Sequence, residues 1–399
     1  MWTEKTFAEL GYTYTGLSGK NKADFGSGEP YIPYMNVFSN ESVDPQAFEY
    51  VQIRKGERQN AVTVGDALFT TSSETPEEVG MSSVLTEDVG TVYLNSFCFG
   101  LRLYKPMDFD PKFLSYALRS EQIRKQMFIA AQGSTRHNLS KQNFNRMRLM
   151  FPTETKEQSH IATVLNASDQ AITSSREFVE KYSAIKQGLM HDLFNPLARD
   201  TALGDTGTWY GGITPSMNNP RFWGEGHFWL SSGEVKSATL DRSTRKITDS
   251  ALANTTLRLL PKGTIVVVVR SGILKNYFPV AVLQTPMAIN QDLKGIVLQE
   301  GINSKYILYV LEFFGDEILR KCMKAGTTVQ SVELKWLKAF KIPLPEAKEQ
   351  DRIVEILTAV NERLIAEQQR LRKLEDIKRG LMNDLLTNRV NTDQLQGGV

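Results

Sequence analysis

KEQDRIVEILTAVNERLIAEQQRLRKLEDIKRGLMNDL, residues 348–385, is the stretch from which the rest of the chain can be read. Its apolar residues keep to two interleaved seven-residue tracks, Ile353, Val360, Leu374 and Leu381 on one and Leu357, Leu364, Leu371 and Leu385 on the other. That spacing is the seam of a helix that pairs lengthwise with another helix. At roughly 1.5 Å per residue the stretch makes a rod of about 57 Å. A second long helix, rather than an ordinary globular core, has to cover it.

The same words occur once before. KEQSHIATVLNASDQAITSSREFVEKYSAIKQGLMHDL, residues 156–193, aligns with the later stretch without a gap at an offset of 192. The identities gather at the two ends, KEQ at the start and IKxGLMxDL at the finish. The seam returns as Ile161, Leu165, Ile172, Val179, Tyr182, Leu189 and Leu193. The chain is therefore a duplication: block, rod, block, rod. Where the second rod has Val360 and Glu367, the first has Ser168 and Ser175, small residues that let a partner approach, which predicts that the rods pack on each other. Thr155 with Gln158 predicts a capping box at the start of the first rod; the second has Ala347 at the matching place. Gly188 and Gly380 sit inside the rods, where glycine costs about 1 kcal/mol against alanine. They predict a close helix crossing, a docked partner, or a break inherited with the duplication.

The 399 residues suffice for two or three domains, and a net charge of +2 permits nucleic acid as a partner without demanding it. Cys98 and Cys322 lie far apart in mixed apolar stretches, so buried thiols in a reducing compartment are expected. No basic leader followed by an apolar run opens the chain and no run of 18 apolar residues occurs; a cytoplasmic, soluble protein without membrane contact is the expectation.

Residues 1–150 are expected to form one block. Strands are predicted at 31–37 (YIPYMNV), 48–53, 66–71, 92–93 and 97–103, loops at 26–30, 56–60 and 75–80, and a helix over 110–130. Residues 151–196 are the first rod with its approach. Residues 197–345 repeat the plan, with strands at 228–235, 257–260, 264–270 and 296–298 and a helix over 304–324; 346–390 form the second rod and 391–399 a tail. Two short correspondences link the blocks, FLSYALRS from Phe113 with YILYVLEF from Tyr306, and QGSTRHNLS from Gln132 with AGTTVQSVE from Ala325, both at an offset of 193. Elsewhere the blocks hardly match. Rods alike and blocks unlike suggest one kind of partner bound twice and two different targets.

Catalytic motifs are thin. Asn219-Pro220-Arg221-Phe222 is not the Asn-Pro-Pro-Tyr/Phe of an amino-group methyltransferase, and Phe25-Gly26-Ser27-Gly28 is a faint echo of a methyl-donor loop. No GxxxxGK[ST] is present for ATP. Glu333-Leu334-Lys335 has nuclease-like spacing without a suitable upstream acidic residue. His137, His160, His191 and His227 lack metal-ligand spacing.

The chain resembles the specificity subunits of type I DNA restriction-modification systems along essentially its whole length. The resemblance is carried by Pro343-Leu344-Pro345 before Lys348-Glu349-Gln350, Phe151-Pro152 before Lys156-Glu157-Gln158, GLMxDL closing both rods, the Gly65-Asp66 step answered by Gly263-Thr264, and the two Gly-Ser/Thr-Thr loops. The family often has Gly-Asp where this chain has Gly263-Thr264. The resemblance implies an α+β architecture of two mixed α/β target-recognition domains joined by two long helices in an antiparallel coiled coil.

It also implies a non-catalytic subunit that reads a bipartite DNA site. Two methyltransferase subunits and two restriction subunits would join it, with S-adenosylmethionine, ATP and Mg on those partners and no cofactor on this chain. Recognition of double-stranded DNA needs side chains at base edges and cations on phosphates. The candidates are Lys20, Asn21, Lys22, Asn36, Ser134, Thr135, Arg136 and His137 in the first block. In the second they are Arg242, Arg245, Lys246, Arg270, Lys275, Thr327, Thr328 and Gln330. The competing class is a coiled-coil scaffold with two ligand-binding domains, which would lack salt-sensitive, sequence-dependent DNA affinity.

Overall fold

The computed structural model describes residues 1–133, 136–324 and 329–389. It divides into two units, residues 1–175 with 369–399 and residues 176–368. Each unit contains one block, the first part of the rod that follows it and the last part of the other rod.

The rods are the helices Thr155–Phe194 and Ala347–Leu385. In the first unit Ile161 and Leu165 are fully buried in a cluster with Leu385, Leu386, Phe113 and Tyr116. In the second, Ile353 and Leu357 are fully buried with Met190, Phe194, Tyr306 and Ile307. The start of each rod thus lies against the end of the other: the rods pack together, as the seam and the small seam residues predict, and they run antiparallel, as the family resemblance implies. Ser175 is 1% exposed. Gly188 and Gly380 have nothing within 4 Å of where a Cβ would stand, so close helix crossing is not why they are glycines.

Gln158 does not form the expected capping box. It is fully buried; its Oε1 accepts from the Asp110 N–H at 2.9 Å and its Nε2 donates to the carbonyls of Asp108 at 3.0 Å and Pro152 at 2.8 Å. Gln350 repeats this, accepting from the Asn303 N–H at 3.0 Å and donating to the Pro345 carbonyl at 2.8 Å. Asp110 and Asn303 are the N-caps of the block helices Pro111–Ala117 and Ser304–Phe313. One glutamine per half therefore bolts the rod's first turn to the block's helix. The single helices expected over 110–130 and 304–324 are each two, with second segments Glu121–Ala130 and Gly315–Cys322.

The far end of each rod has its own clasp. Lys378 lies between Glu41 at 2.8 Å and Asp169 at 2.6 Å, with its ammonium 5.6 Å from the Tyr116 ring centroid. Tyr116 Oη donates to Asp169 at 2.6 Å. Lys186, the matching residue of the first rod, meets Glu312 at 2.5 Å, Asn361 at 3.1 Å and the Tyr309 ring at 5.7 Å. Asn361 stands where the other half has Asp169, so only the first unit closes the clasp with two carboxylates. Burial pulls the Lys378 pKa down, but Glu41 and Asp169 outweigh it and hold it above the ordinary lysine value. A raised folded pKa means the clasp's stabilisation is complete below the unfolded lysine pKa and fades as pH rises through the folded one. Lys378→Met is expected to cost about 2 kcal/mol at neutral pH, more than Lys186→Met, and to remove that alkaline loss; urea titrations at pH 7 and above pH 10 check both.

The first block is built on two four-stranded sheets. One runs Gly11–Thr15, Cys98–Leu103, Ala67–Thr70, Ser82–Val84, the other Glu49–Val51, Phe25–Ile32, Val92–Leu94, Ala61–Val62. The second has a five-stranded sheet, Gly207–Gly211, Leu293–Leu298, Ile265–Val268, Val280–Leu283, Thr239–Leu240, and a three-stranded one, Arg245–Ile247, Trp223–Leu230, Met287–Ile289. Several strand expectations shift. Pro33 ends the strand predicted over 31–37, and Tyr34–Ser39 is helical; the loop predicted over 26–30 is the start of that strand. In the second block the long strand is Trp223–Leu230 rather than 228–235, and 257–260 contributes one bridge, Leu260 to Met287. Each block's first strand pairs antiparallel with the strand just before its rod, Trp2–Thr6 with Arg148–Pro152 and Thr201–Ala202 with Lys341–Ile342.

Cys98 and Cys322 are buried free thiols. No helix among the described residues is long and apolar enough to cross a membrane.

Candidate nucleic-acid interface

Polar residues foreseen as DNA contacts fall into three groups. Asn36 is 3% exposed and staples its own loop: its Nδ2 donates to the Asp44 carbonyl at 2.8 Å and its Oδ1 accepts from the Asp44 N–H at 3.0 Å. Lys20 has a side chain only 4% exposed, with its ammonium on Glu57 at 2.5 Å and on the Gln52 carbonyl at 2.6 Å. Lys20, with the Arg54 N–H and the Gln59 amide, holds the Glu57 carboxyl down at about 2. Both side chains are tied within their own block by these bonds. Ser134, Thr135, Thr327 and Thr328 lie outside the described residues, and with them the tips of both Gly-Ser/Thr-Thr loops.

A second group flanks those loops. Arg136 is exposed, and His137 opens the strand His137–Leu139, where it pairs with Ser73 while Asn138 pairs with Ser72. In the second unit Arg270 bridges Ser331, and the Gln330 carbonyl accepts from the Ser271 N–H at 3.0 Å. Ser72 and Arg270 occupy matching places, as do His137 and Gln330, so the frame below the loop repeats while its side chains change. Lys275 is exposed on the adjoining turn Gly272–Lys275.

The third group lies beside the strands Phe25–Ile32 and Trp223–Leu230. Asn21 starts a one-turn helix, Lys22–Asp24, its Oδ1 accepting from the Ala23 N–H at 2.9 Å. Lys22 is exposed beside it. Asp24, 5% exposed, accepts from the Asn21 N–H at 2.9 Å and pairs with Arg54 at 2.9 Å; these keep its pKa below the ordinary value. In the second unit Arg245 stacks over the Trp223 ring at 5.7 Å and Lys246 bonds Glu225 at 2.5 Å. Arg242 is exposed near Asp241. Arg54, Phe25 and Trp223 were not among the foreseen residues; the signal that could have found the two rings is the match of FGSGEPYI at 25–32 with WGEGHFWL at 223–230, offset 198.

Among the described residues no cluster of three or more His, Cys, Asp or Glu is placed to hold a metal. The exposed groups on these surfaces are cations, amides and aromatic edges.

The family model described as Type I restriction modification DNA specificity domain matches residues 20–180 and again 201–376. The chain is similar to the EcoR124I/EcoR124II type I restriction enzyme specificity subunit of Escherichia coli, 42% identical over 156 residues, 39% of each chain. It is also similar to the MjaIX specificity subunit of Methanocaldococcus jannaschii, 30% identical over 157 residues, 39% of this chain and 35% of that one. Each match spans well under two thirds of the relative's length. Two solved structures share the fold over 96% of this chain. One is the S subunit of a type I restriction-modification system from M. genitalium, with a TM-score of 0.61 at 16% identity over 96% of that chain. The other comes from work on complex assembly and conformational transition of the type I R-M system, with a TM-score of 0.60 at 15% identity over 97% of that chain. With the domain matched twice over most of its length, this chain belongs to the family of type I restriction-modification DNA specificity subunits.

Proposed function

We propose that this chain is the non-catalytic reader of a bipartite DNA site, each block recognising one half and the antiparallel rods fixing the unspecified spacer between them. The observation that carries this reading is the pattern of sameness within the duplication. The bolts and clasps joining block to rod repeat, the frames under the exposed loops repeat, and the side chains on those frames differ. A protein reading one palindromic word would have kept the frames and the side chains alike.

The rods also offer faces for two methyltransferase subunits, and Gly188 and Gly380, where a Cβ would meet none of the described residues within 4 Å, suit a docked partner near each rod end. Two restriction subunits complete the endonuclease. S-adenosylmethionine, ATP and Mg bind those partners, and the complex works in the cytoplasm.

Methylome sequencing of the host with and without the gene tests this directly. The expected result is one gene-dependent motif of two unequal half-words with a fixed gap; absence of any gene-dependent motif overturns the reading. Removing one heptad from a rod shortens it by about 10.5 Å, or about three base pairs at 3.4 Å each. That variant is expected to shift or abolish the preferred gap. Unchanged methylation of the original site contradicts the spacing role.

A further inference from the structure

The correspondence at offset 198 extends beyond sequence. Phe25-Gly26-Ser27-Gly28 and Trp223-Gly224-Glu225-Gly226 open the strands Phe25–Ile32 and Trp223–Leu230, each preceded by an Asn-capped one-turn helix. Asn219 Oδ1 accepts from the Arg221 N–H at 3.1 Å, as Asn21 does from Ala23. All four glycines have positive φ: 107° and 109° at Gly26 and Gly28, 148° and 152° at Gly224 and Gly226. L side chains rarely adopt that region. The strand register slips in both, between Phe25 and Glu29 and between Trp223 and His227. A Cβ on Gly28 would stand 2.6 Å from the Val51 carbonyl oxygen, and one on Gly226 2.5 Å from that of Ile247. The same bulge has thus been preserved in two blocks that otherwise share few words.

What the bulge does is lift one ring outward and prop it from behind. Phe25 stands edge-on to Tyr31 at 5.4 Å, and Trp223 edge-on to Trp229 at 5.1 Å. The inner rings are buried, at 5% and 4% exposure, whereas Phe25 is 37% exposed and Trp223 half-buried. Each outer ring borders an open cleft, of about 360 Å³ in the first unit and about 390 Å³ in the second. Lys22 lines the first and Arg245 the second. A role confined to holding the sheet together is served by the inner ring; it gives no reason for a second ring at the rim of a cleft beside a cation. An exposed aromatic edge next to a cation suits a polyanion with flat apolar faces, the ring against a sugar or base and the cation on the flanking phosphate.

We propose that these paired bulges are where each block grips double-stranded DNA, with Phe25 and Trp223 as specificity-determining residues for the two half-sites. This rests on the DNA-reading function proposed above. The residues that differ across the two bulges, Phe25 against Trp223, Ser27 against Glu225 and Lys22 against Pro220, then contribute to the difference between the two words.

The test uses the intact system in its host. Phe25→Ala, Trp223→Ala, Lys22→Ser and Arg245→Ser are introduced singly and the methylome is read alongside the amount of soluble chain. Each alanine variant is expected to lower methylation of cognate sites tenfold or more, or to relax one half-word while the other stays stringent, the two variants affecting opposite halves. Phe25→Tyr and Trp223→Phe are expected to restore most of the activity. The exposed cation variants, which leave the core intact, are expected to lower methylation severalfold at normal abundance. Wild-type methylation and an unchanged motif in the cation variants and in soluble alanine variants overturn this proposal while leaving the reader function standing. A wild-type strain with no gene-dependent motif removes the function itself.

Discussion

Gln158→Leu is expected to destabilise the first unit by about 3 kcal/mol, and Gln350→Leu the second by about 2 kcal/mol. Leucine matches glutamine in bulk but can neither donate nor accept. At position 158 it strips a partner from three backbone groups at once, the Asp110 N–H and the carbonyls of Asp108 and Pro152, around a side chain with no solvent exposure. At position 350 it strips two, the Asn303 N–H and the Pro345 carbonyl, around a side chain 3% exposed. The penalty comes mainly from leaving polar groups buried and unpaired, not from losing favourable bonds. Urea denaturation followed separately by probes in each unit reads the ranking. Equal midpoints for the wild type and Gln158→Leu would show that the rod's first turn is held by apolar packing alone.

That prediction bears on how the repeated words should be understood. Selection on a partner bound twice was one way to explain why KEQ and IKxGLMxDL recur. Gln158, Gln350, Lys186 and Lys378 all have work inside the chain, so for those positions the internal joints suffice. Gly188 and Gly380 meet no described atom that a Cβ would crowd, so the internal joints do not account for them.

The rods were legible because a seven-residue seam over 38 residues has few alternative solutions, and the duplication because the rods align without gaps. The sheet details were less so. Residues 31–37 look β-branched and aromatic enough for a strand, and only Pro33, which fixes its own backbone angle and donates no N–H, marks where the helix 34–39 takes over. Residues 26–30 look like a loop because paired glycines usually punctuate turns; here they make a bulge inside a strand, a distinction set by the neighbouring backbone at Val51 and not by local propensity. Among site residues, Lys20 and Asn36 have the right chemistry for DNA, but burial depends on Glu57 and Asp44, which tertiary packing supplies.

The Gly-Thr departure in the second block leads to the other large effect. In the first unit Asp66, 2% exposed, takes a forked bond from Arg102 at 2.9 and 2.6 Å, a hydroxyl from Tyr14 at 2.7 Å and the Thr63 N–H at 2.9 Å. Burial, together with the Asp66 charge, pushes the Tyr14 hydroxyl well above its ordinary pKa, and bonding to Asp66 keeps the Arg102 guanidinium charged. Strand register places Thr264 where the first unit has Asp66, and Val297 where it has Arg102. Both charges are absent together, and Thr264 satisfies its hydroxyl on the Pro261 carbonyl at 2.7 Å. Arg102→Val alone leaves a buried carboxylate without its cation and is expected to cost about 3 kcal/mol, with Asp66→Thr alone about as much. The double change, which copies the second block's own solution, is expected to cost at least about 2 kcal/mol less than the sum of the singles, the non-additivity of a pair in direct contact. Thermal and urea unfolding of the four proteins close the cycle. Additive losses would mean that the ion pair and its surroundings are independent, and that the second block reached its neutral pair by a route the first cannot follow.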